Sequence, residues 1–429
     1  MKHCVLILCC LFLWEGGPVL AQQGCGCGED DESTLEEGPG CESDEEELRQ
    51  PTPPKAENKQ PPPRRKVERP LQEQINEAIE KGIAFLESRQ LKDGSWGPCI
   101  ATGKYGNPSS RERSKCYTTG PTSFAIFTLA KCGADKKDKA VKRGLRWLRK
   151  KARRGRDQTT NPGDHSYSSY ESASVVLMLE ALNHQAPKRG KPEHRKVSDK
   201  PTKPPKGSRF VKDDWKWMHE RIRHILECQN DRGGMRYWTR SRKKDLSATQ
   251  FSLLAMRAAS RAGYPIDQKH WLWATSYVRK IAASDGSFPY QAGDKTNLGM
   301  TAAGIACMVI GKEQMELLGY RVPGWIDPYL KRSFEYLGQN FDLSKKQGGR
   351  WHYRYYYLYG IERIGDLTGR KEIGGKDWYV RGAKVLLKEQ MQGGGWTDRS
   401  CMDPEDTLGT CFALLFLKKA TIPAVTLSE

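Results

Sequence analysis

The chain has 429 residues, of which 71 are Lys or Arg and 52 are Asp or Glu, giving a formal net charge of +19. With 37% hydrophobic residues and a mean hydropathy of −0.73, it is too polar for a multi-span transporter, yet long enough to bury a large core. The charge is divided unevenly along the chain. Residues 1–50 contain two basic and twelve acidic residues, so the rest of the chain carries +29.

The first 21 residues have the pattern of a signal peptide. Lys2 precedes an apolar stretch from Val5 to Trp14, and small residues stand at Val19 and Ala21, just before a predicted cleavage site. The apolar stretch is about half as long as the roughly 20 residues that a membrane-spanning helix needs. The chain is therefore predicted to be exported to the periplasm, cell envelope or exterior. A retained anchor and lipidation of Cys25 are the alternatives.

Ten cysteines remain after removal of residues 1–21, and an oxidising compartment would allow them to pair. The first pairs to test are Cys99 with Cys116, which bracket one loop, and Cys401 with Cys411. Three others, on or at the ends of apolar helices, are predicted to act as small buried hydrophobic residues. These are Cys132, Cys228 and Cys307.

Composition divides the mature chain into one folded region and three irregular segments. Residues 22–70 combine acidic runs with Pro-rich stretches and few aliphatic side chains, which predicts a disordered tether. Residues 183–212 contain ten basic and two acidic residues and no hydrophobic period, which predicts a basic loop inserted within the fold. The folded domain is predicted to span residues 71–420, followed by a tail at 421–429.

A helical hairpin recurs six times between the tether and the tail. The first helix of each hairpin has Leu or Trp on one face and Lys or Arg on the other. These helices are predicted at residues 72–90, 138–151, 214–229, 267–282, 326–339 and 377–390. The second helix is rich in Ala, Ser, Thr and Leu. These helices are predicted at residues 122–131, 169–182, 248–262, 298–310, 355–367 and 406–419.

The composition of the two helix sets predicts their positions. Small side chains let backbones approach closely, so the second helices should line an axis while the charged first helices face solvent. Six such hairpins can close on themselves. The predicted fold is therefore all-α, an (α/α)6 toroid of six helical hairpins preceded by a disordered N-terminal segment. An open solenoid is the alternative.

The turns within the hairpins carry a recurring sequence. Gln90 to Trp96 and Gln390 to Trp396 resemble the QW repeat of squalene cyclases and the repeats of protein prenyltransferase β-subunits, and two weaker copies lie near Gln229 and Asp285. The resemblance covers about residues 72–420 and is to the terpenoid cyclase/protein prenyltransferase toroid superfamily, particularly its exported bacterial members. The Gln amide is expected to bond turn backbone, and Trp to cover the helix end. The resemblance implies no particular reaction.

One acidic motif is similar to a catalytic motif of the superfamily. Class II terpene cyclases protonate an alkene with the middle acid of Asp-x-Asp-Asp, and here the sequence Asp403-Pro404-Glu405-Asp406-Thr407 precedes an apolar helix. The resemblance implies that Glu405 is the acid, with Asp403 and Asp406 beside it. Because Glu replaces the donor Asp and the motif lies in the last hairpin, we favour helix capping by Asp403 or Asp406 over catalysis. A cyclase-like enzyme using this altered motif on an isoprenoid is the alternative.

Metal chemistry receives no support from the sequence. Protein prenyltransferases bind zinc through an Asp-x-Cys motif that the mature body lacks. His219 and His224 are five residues apart, which places them about 140° apart around a helix instead of one turn apart. We therefore predict neither a metal nor another cofactor.

Polar and aromatic residues cluster where the second helices begin, the place where a toroid cavity would collect them. The candidates for ligand binding are His165, Tyr167, Tyr170, Glu171, Asp245, Gln250, His352, Tyr353, Tyr356, Glu362 and Arg363. Aromatic rings beside a few charged groups suit an isoprenoid, lipid or peptide ligand. A satisfied polar network within the core is the alternative. The function favoured by the sequence is axial binding of a peptide, lipid or polymer without the superfamily's catalytic motifs.

The basic surface predicts anionic partners. Residues 136–156 contain twelve basic residues and one acidic residue. An exported protein is expected to meet an anionic envelope polymer or lipid headgroups instead of nucleic acid. Residues 29–47 contain eleven acidic residues and no basic ones, so they are expected to compete with such partners.

Overall fold

The computed structural model describes residues 69–96, 119–155, 169–183, 203–343, 354–397 and 406–420, without 230–232, 238, 240, 242 and the side chains of 151–155. Twelve helices and one short β-hairpin form these parts of the chain. The predicted signal peptide, the acidic tether, most of the basic loop and the tail lie outside the described residues. Those assignments therefore stay predictions.

The helices alternate between outer and inner positions. Each predicted helix is found at or near its predicted bounds, except that the helix predicted at 298–310 continues to Leu317. In chain order they are α1 Leu71–Ser88, α2 Thr119–Lys131, α3 Lys139–Gly155, α4 Ser169–Asn183, α5 Lys212–Cys228, α6 Leu246–Arg261, α7 Gln268–Ile281, α8 Leu298–Leu317, α9 Ile326–Gln339, α10 Arg354–Thr368, α11 Trp378–Glu389 and α12 Thr407–Leu417. Strands β1 Glu372–Ile373 and β2 Lys376–Asp377 pair antiparallel between α10 and α11.

The even-numbered helices form a closed inner ring. Each packs against the next, from α2 through α4, α6, α8 and α10 to α12, and α12 packs against α2. The odd-numbered helices lie outside this ring; α7, for example, packs against α6 and α8, and α1 packs against α12. The contact between α12 and α2 excludes the open solenoid. The predicted (α/α)6 toroid is confirmed.

Burial follows directly from these two positions. An inner helix has a neighbour on each side, an outer helix behind it and the axis in front, so α6 buries fourteen consecutive residues from Leu246 to Ala259. An outer helix buries only the stripe that faces inward, and α7 does so at intervals of one to three residues between Trp271 and Ile281. The apolar period of the first helices and the small residues of the second therefore have distinct structural causes.

Glutamine side chains join three of the turns to the next outer helix. Gln90 Nε2 donates to the carbonyl of Gly94 in its own turn at 3.0 Å and to the carbonyl of Ala140, in α3, at 2.9 Å. Gln229 makes the corresponding pair of bonds within its turn and to α7. The amide thus satisfies backbone carbonyls of two elements at once.

A threonine at the fourth position of four inner helices fixes the other side of these turns. Its hydroxyl accepts a hydrogen bond from the main-chain N–H of the large residue that ends the turn, at N···O distances of 2.9 to 3.2 Å. The pairs are Trp96–Thr122, Met235–Thr249, Phe288–Thr301 and Trp396–Thr410. The repeated threonine was a further signal of the repeat in the sequence.

The same turn geometry closes the ring. Gln390 Nε2 donates to the carbonyl of Ala78 in α1 at 2.8 Å, across 312 residues of sequence. Gly394 has φ 92°, and a Cβ there would lie 2.5 Å from the carbonyl oxygen of Lys81. The turn after α11 therefore binds α1 closely, because no side chain separates the two backbones.

The structure tests the predicted burial of three cysteines and the expectation that the folded region does not span a membrane. Cys228 and Cys307 are buried, as predicted, whereas Cys132 is half-buried, and all three are free thiols. Burial raises the pKa of the Cys132 thiol to about 12. Cys99, Cys116 and Cys401 lie outside the described residues, so the two disulfide pairs stay predictions. No helix in the described ranges has the length and apolar character needed to cross a bilayer.

Candidate functional site

The candidate residues divide into those that the structure describes and those that it does not. His165, Tyr167, His352, Tyr353, Asp403 and Glu405 lie outside the described residues, so their roles stay predictions. The others lie on inner helices or directly before them. They are Tyr170, Glu171, Asp245, Gln250, Tyr356, Glu362, Arg363 and Asp406.

Asp406 stands directly before α12, but its side chain does not cap that helix. Its backbone is left-handed, with φ 56°, and only its carbonyl bonds the first turn, accepting from the N–H of Thr410 at 3.1 Å. Asp245 and Asn297 stand at the equivalent position, four residues before the repeated threonine, and both cap through side-chain oxygens. Their backbones are extended, the conformation that aims an N-cap side chain at the helix. The predicted side-chain cap at Asp406 is therefore not observed.

Aromatic rings fill the middle of the inner ring. The Phe124 ring of α2 lies 6.3 Å from Phe251 of α6, 6.5 Å from Tyr359 of α10 and 5.2 Å from Phe412 of α12, measured between centroids. Tyr170 of α4 contacts Phe251 in turn, at 5.3 Å. All five side chains are buried. Five inner helices thus contribute to one apolar, aromatic axis.

Arg363 is buried at the edge of these aromatic rings. Its guanidinium carbon lies 4.0 Å from the ring centroid of Tyr359, 5.6 Å from that of Tyr356 and 5.7 Å from that of Phe251. Nη2 donates to Gln250 Oε1 at 3.2 Å, while Nε and Nη1 make no hydrogen bond within the described part of the chain. Among the described residues, no carboxylate forms an ion pair with it. A full positive charge is thus held in aromatic surroundings with two nitrogens unpaired.

Gln250 adds another unpaired donor at the same place. Its Oε1 accepts from the Tyr356 hydroxyl at 2.7 Å as well as from Arg363, and Tyr356 also contacts the hydroxyl of Ser247 at 3.3 Å. Burial raises the pKa of Tyr356, so the phenol stays protonated and acts as a donor. Gln250 Nε2 makes no hydrogen bond among the described residues. We call Gln250, Tyr356, Tyr359 and Arg363 the axial arginine site.

A second polar cluster surrounds Asp245, at the start of α6. Asp245 Oδ2 accepts from Arg236 Nη1 at 3.0 Å, and the Arg236 guanidinium lies 4.2 Å from the ring centroid of Tyr237. The hydroxyls of Tyr237 and Tyr290 lie 2.6 Å apart, and the Tyr237 ring packs 5.9 Å from Tyr170. Burial raises the pKa of Asp245 to about 6, although the Arg236 charge acts in the opposite direction.

Three members of this cluster were missed in the sequence: Arg236, Tyr237 and Tyr290. They lie in the connections before α6 and α8, outside the predicted helices. A signal was present, because both tyrosines stand two residues after the residue whose N–H bonds the repeated threonine. Aligning the turns with one another would have placed them together.

We predict a pH-dependent stability difference between the wild type and Asp245→Asn. The folded pKa of about 6 exceeds the ordinary 3.8, so the folded state binds more protons at Asp245, and the contribution of Asp245 to stability falls as pH rises from 4 to 6.5. Asn cannot titrate, and Asn297 shows that Asn caps this position. Urea unfolding should therefore show the wild type losing about 2–3 kcal/mol relative to the variant across this window.

Two partly buried histidines make this subtraction necessary. Burial lowers the pKa of His224 and of His270 to about 4, so each adds stability that is lost as pH falls, the opposite sign to Asp245. Both are present in both proteins, and their effects cancel in the difference. A difference that stays constant from pH 4 to 6.5 would contradict the prediction.

Comparisons with known proteins agree with this architecture. Residues 67–169 match the family model of the squalene-hopene cyclase C-terminal domain, and no curated protein matches the chain. The type II terpene cyclase MstE of Scytonema, solved with geranylgeranyl dihydroxybenzoate, has a TM-score of 0.53 at 12% identity, covering 82% of this chain and 98% of that one. The chain has the fold of an α/α toroid, and its likeness to the squalene-hopene cyclase C-terminal domain covers residues 67–169.

A mannanase has the same fold as this toroid. An inactive variant of the α-1,6-mannanase of Salegentibacter sp. HEL1_6, in complex with α-1,6-mannotetrose, has a TM-score of 0.51 at 10% identity, covering 82% of this chain and 99% of that one. Both likenesses are at the level of fold. Since a terpene cyclase and a mannanase share it, the toroid by itself specifies no chemistry, and function has to be argued from the site.

Glu362 interacts mainly with groups outside the axial arginine site, although its charge also acts on Tyr359. Glu362 hydrogen-bonds Asp366, near the end of α10, and attracts the ammonium of Lys131, whose pKa is lowered by burial. Glu171 is buried in the first turn of α4. The sequence grouped Glu362 with Arg363, but neighbouring residues on a helix point about 100° apart.

The histidines of α5 make structural hydrogen bonds. His219 Nδ1 lies 2.7 Å from the Tyr264 hydroxyl, and His224 Nδ1 lies 3.0 Å from the Ser172 hydroxyl. Within the described residues, no three His, Cys, Asp or Glu side chains come together in a metal-binding arrangement.

Proposed function

We propose that this toroid binds an elongated apolar ligand with an acidic end group, such as an isoprenoid or other lipid acid, without converting it. The apolar chain would lie against the axial aromatic rings, and the acidic group would meet Arg363 and Gln250. The observation that carries the proposal is the buried guanidinium of Arg363, whose Nε and Nη1 have no hydrogen-bond partner in the described chain.

The energetics of Arg363 support an anionic partner. Burying a charge without a counter-charge costs several kcal/mol, whereas cation–π contacts return only about 0.5–2 kcal/mol. A carboxylate could accept two parallel bonds from the guanidinium, either from Nε and Nη2 or from Nη1 and Nη2, because Nη2 carries a second N–H besides the one given to Gln250. The Gln250 amide nitrogen supplies another donor beside them. An anionic ligand would therefore supply acceptors to donors that lack one in the described chain.

The surroundings support a ligand with an apolar body. The rings of Phe124, Phe251 and Phe412 present aromatic faces and edges, which suit aliphatic or prenyl chains better than sugars. The terpene cyclase of the same fold was solved with a prenylated aromatic acid, which has both parts. The Arg363 side chain tilts toward the start of α10. The acidic group is therefore expected to enter from the end of the ring where the inner helices begin.

The proposal includes export of the protein from the cytoplasm. The signal-peptide pattern of residues 1–21 supports export, so the ligand would be taken up outside the cytoplasm. Together with the axial site, this supports a carrier or sensor of a lipid acid in the cell envelope.

A matched pair of probes tests the proposal. Isothermal titration of the full chain with geranylgeranoic acid and with geranylgeraniol compares the same chain with and without the acid. The acid is expected to bind at least tenfold more tightly, about 1.4 kcal/mol or more. Equal binding of both probes, or binding of neither, would reject the proposal.

The same incubations distinguish binding from catalysis. Extracts of the wild type and of Glu405→Gln are compared by gas chromatography and mass spectrometry. The expected result is unchanged probe in both. A cyclised product made by the wild type and absent from the variant would replace the proposal with a terpenoid-cyclase-like activity at the altered acidic motif.

A further inference from the structure

Helix α3 carries a line of exposed basic side chains along its outer surface. Lys139, Lys142, Arg146 and Lys150 are all exposed. At 100° per residue they fall within a sector of about 80°, and at 1.5 Å per residue they extend over about 17 Å. We call these four residues the basic stripe.

The basic stripe is not neutralised within the described residues. None of its four members forms an ion pair there, whereas two nearby bases serve a buried acid: Lys136 and Arg149 each bind a carboxylate oxygen of Asp214 at 2.9 Å. Arg143, on the same helix, donates to the carbonyl of Leu91. The basic residues of this region that bind other groups of the described chain therefore lie outside the stripe.

The opposite face of α3 holds the stripe in place. Val141, Leu145 and Leu148 are buried in the core, and Trp147 Nε1 donates to Asp93 Oδ2 at 2.9 Å. A Cβ on Gly144 would lie 2.7 Å from Ile126 of α2, so the two helices are in close contact. These contacts anchor the apolar face of α3 in the core, so the backbone positions of the stripe form a row along the outer surface.

The spacing of the stripe indicates the form of its partner. Neighbouring members are three or four residues apart, which is about 4.5–6 Å along the helix. Alternate residues of an extended acidic polymer repeat at about 6.6 Å, a similar spacing. A broad basic patch with exposed apolar side chains would suit a flat membrane better. The exposed large hydrophobic residues of the described chain, Leu91, Val211 and Trp273, lie outside α3.

We propose that the basic stripe binds a linear polyanion, a chain with an acidic group every 5–7 Å or so along its length. This site is on the outer surface and is independent of the axial ligand. Attraction would come mainly from release of counterions, so that affinity falls as salt concentration rises. Because the charges lie in a row, a linear arrangement of anions should bind better than the same anions spread over a surface.

Two variants of equal charge test the arrangement. The stripe variant combines K139Q, K142Q, R146Q and K150Q. The matched control combines K92Q, K331Q, K371Q and R381Q, four exposed bases on separate elements, so that both lose four positive charges. The probes are fluorescent poly-L-glutamate and polyphosphate, two linear polyanions of different chemistry, and vesicles of phosphatidylglycerol and phosphatidylcholine.

Binding is measured by anisotropy or co-sedimentation between about 50 and 200 mM salt. The stripe variant should lose at least tenfold in affinity for a linear polyanion at low salt and show a weaker salt dependence, while the control loses less than threefold. Preference between the two polymers identifies the acidic group. Equal losses in both variants would show diffuse attraction to net charge, and stronger binding to vesicles would show a membrane surface; either result overturns the proposal.

Discussion

Replacing Arg363 with Met is expected to remove binding of the acidic probe while leaving the ligand-free toroid as stable as the wild type or more stable. Met preserves much of the side-chain volume among Tyr356, Tyr359 and Phe251, and it removes a charge that lacks a carboxylate partner in the described chain. Hydrogen bonds to charged groups contribute about 1.5–3 kcal/mol, so affinity should fall roughly 10- to 150-fold. Titration with geranylgeranoic acid and urea unfolding without ligand measure the two effects.

Arg257 is the matched control, because it is also a buried arginine on the inner ring. It binds Glu313 through two hydrogen bonds, at 2.6 and 2.8 Å, and replacing it with Met leaves that carboxylate buried without its arginine. We expect a loss of about 3–5 kcal/mol in unfolding free energy. If Arg363→Met destabilises the protein as much as Arg257→Met does, Arg363 has a structural role and the proposed function loses its main support.

Gly394→Ala is expected to weaken the closure of the ring by about 3 kcal/mol. Its φ of 92° is unfavourable for alanine, at about 1–2 kcal/mol, and the new Cβ would meet the Lys81 carbonyl at 2.5 Å, which costs about 1–3 kcal/mol more. The strain falls where the last hairpin binds α1. The midpoint of urea unfolding measures the loss.

Gly293→Ala separates the two causes of this loss. Gly293 has nearly the same backbone conformation, with φ 91°, but no atom lies within 4 Å of the position that a Cβ would occupy. This variant should lose only the backbone contribution, about 1–2 kcal/mol. Equal losses at Gly394 and Gly293 would mean that the close contact with α1 does not contribute to stability.

The helices could be predicted from the sequence because the patterns that specify them are local. The apolar period and the turn residues lie within one hairpin, and α9 was predicted at the residues where it is found, 326–339. The turns are local too, since Gln90 bonds Gly94 only four residues away. Small residues identified the inner helices because close packing on every side leaves no room for long charged side chains.

Candidate residues of the site were recognisable by type, but not their arrangement. Gln250 and Arg363 were both selected from the sequence, yet the hydrogen bond between them joins residues 113 positions apart. Glu362 was grouped with Arg363 as its neighbour in sequence, and the helix directs the two side chains into different clusters. Arg236, Tyr237 and Tyr290 were missed because they lie in connections, where no period marks a residue as facing inward.

The sequence by itself thus determined the twelve helices, their division into two layers and the chemical types available at the axis. The tertiary structure decided that the ring closes, through α12 against α2 and Gln390 against Ala78. It also decided which buried charges have partners, since Arg257 meets Glu313 while Nε and Nη1 of Arg363 meet none in the described chain. Helices form from contacts a few residues apart, whereas closure and charge pairing depend on contacts between hairpins far apart in sequence, which look alike in an open array and a closed one.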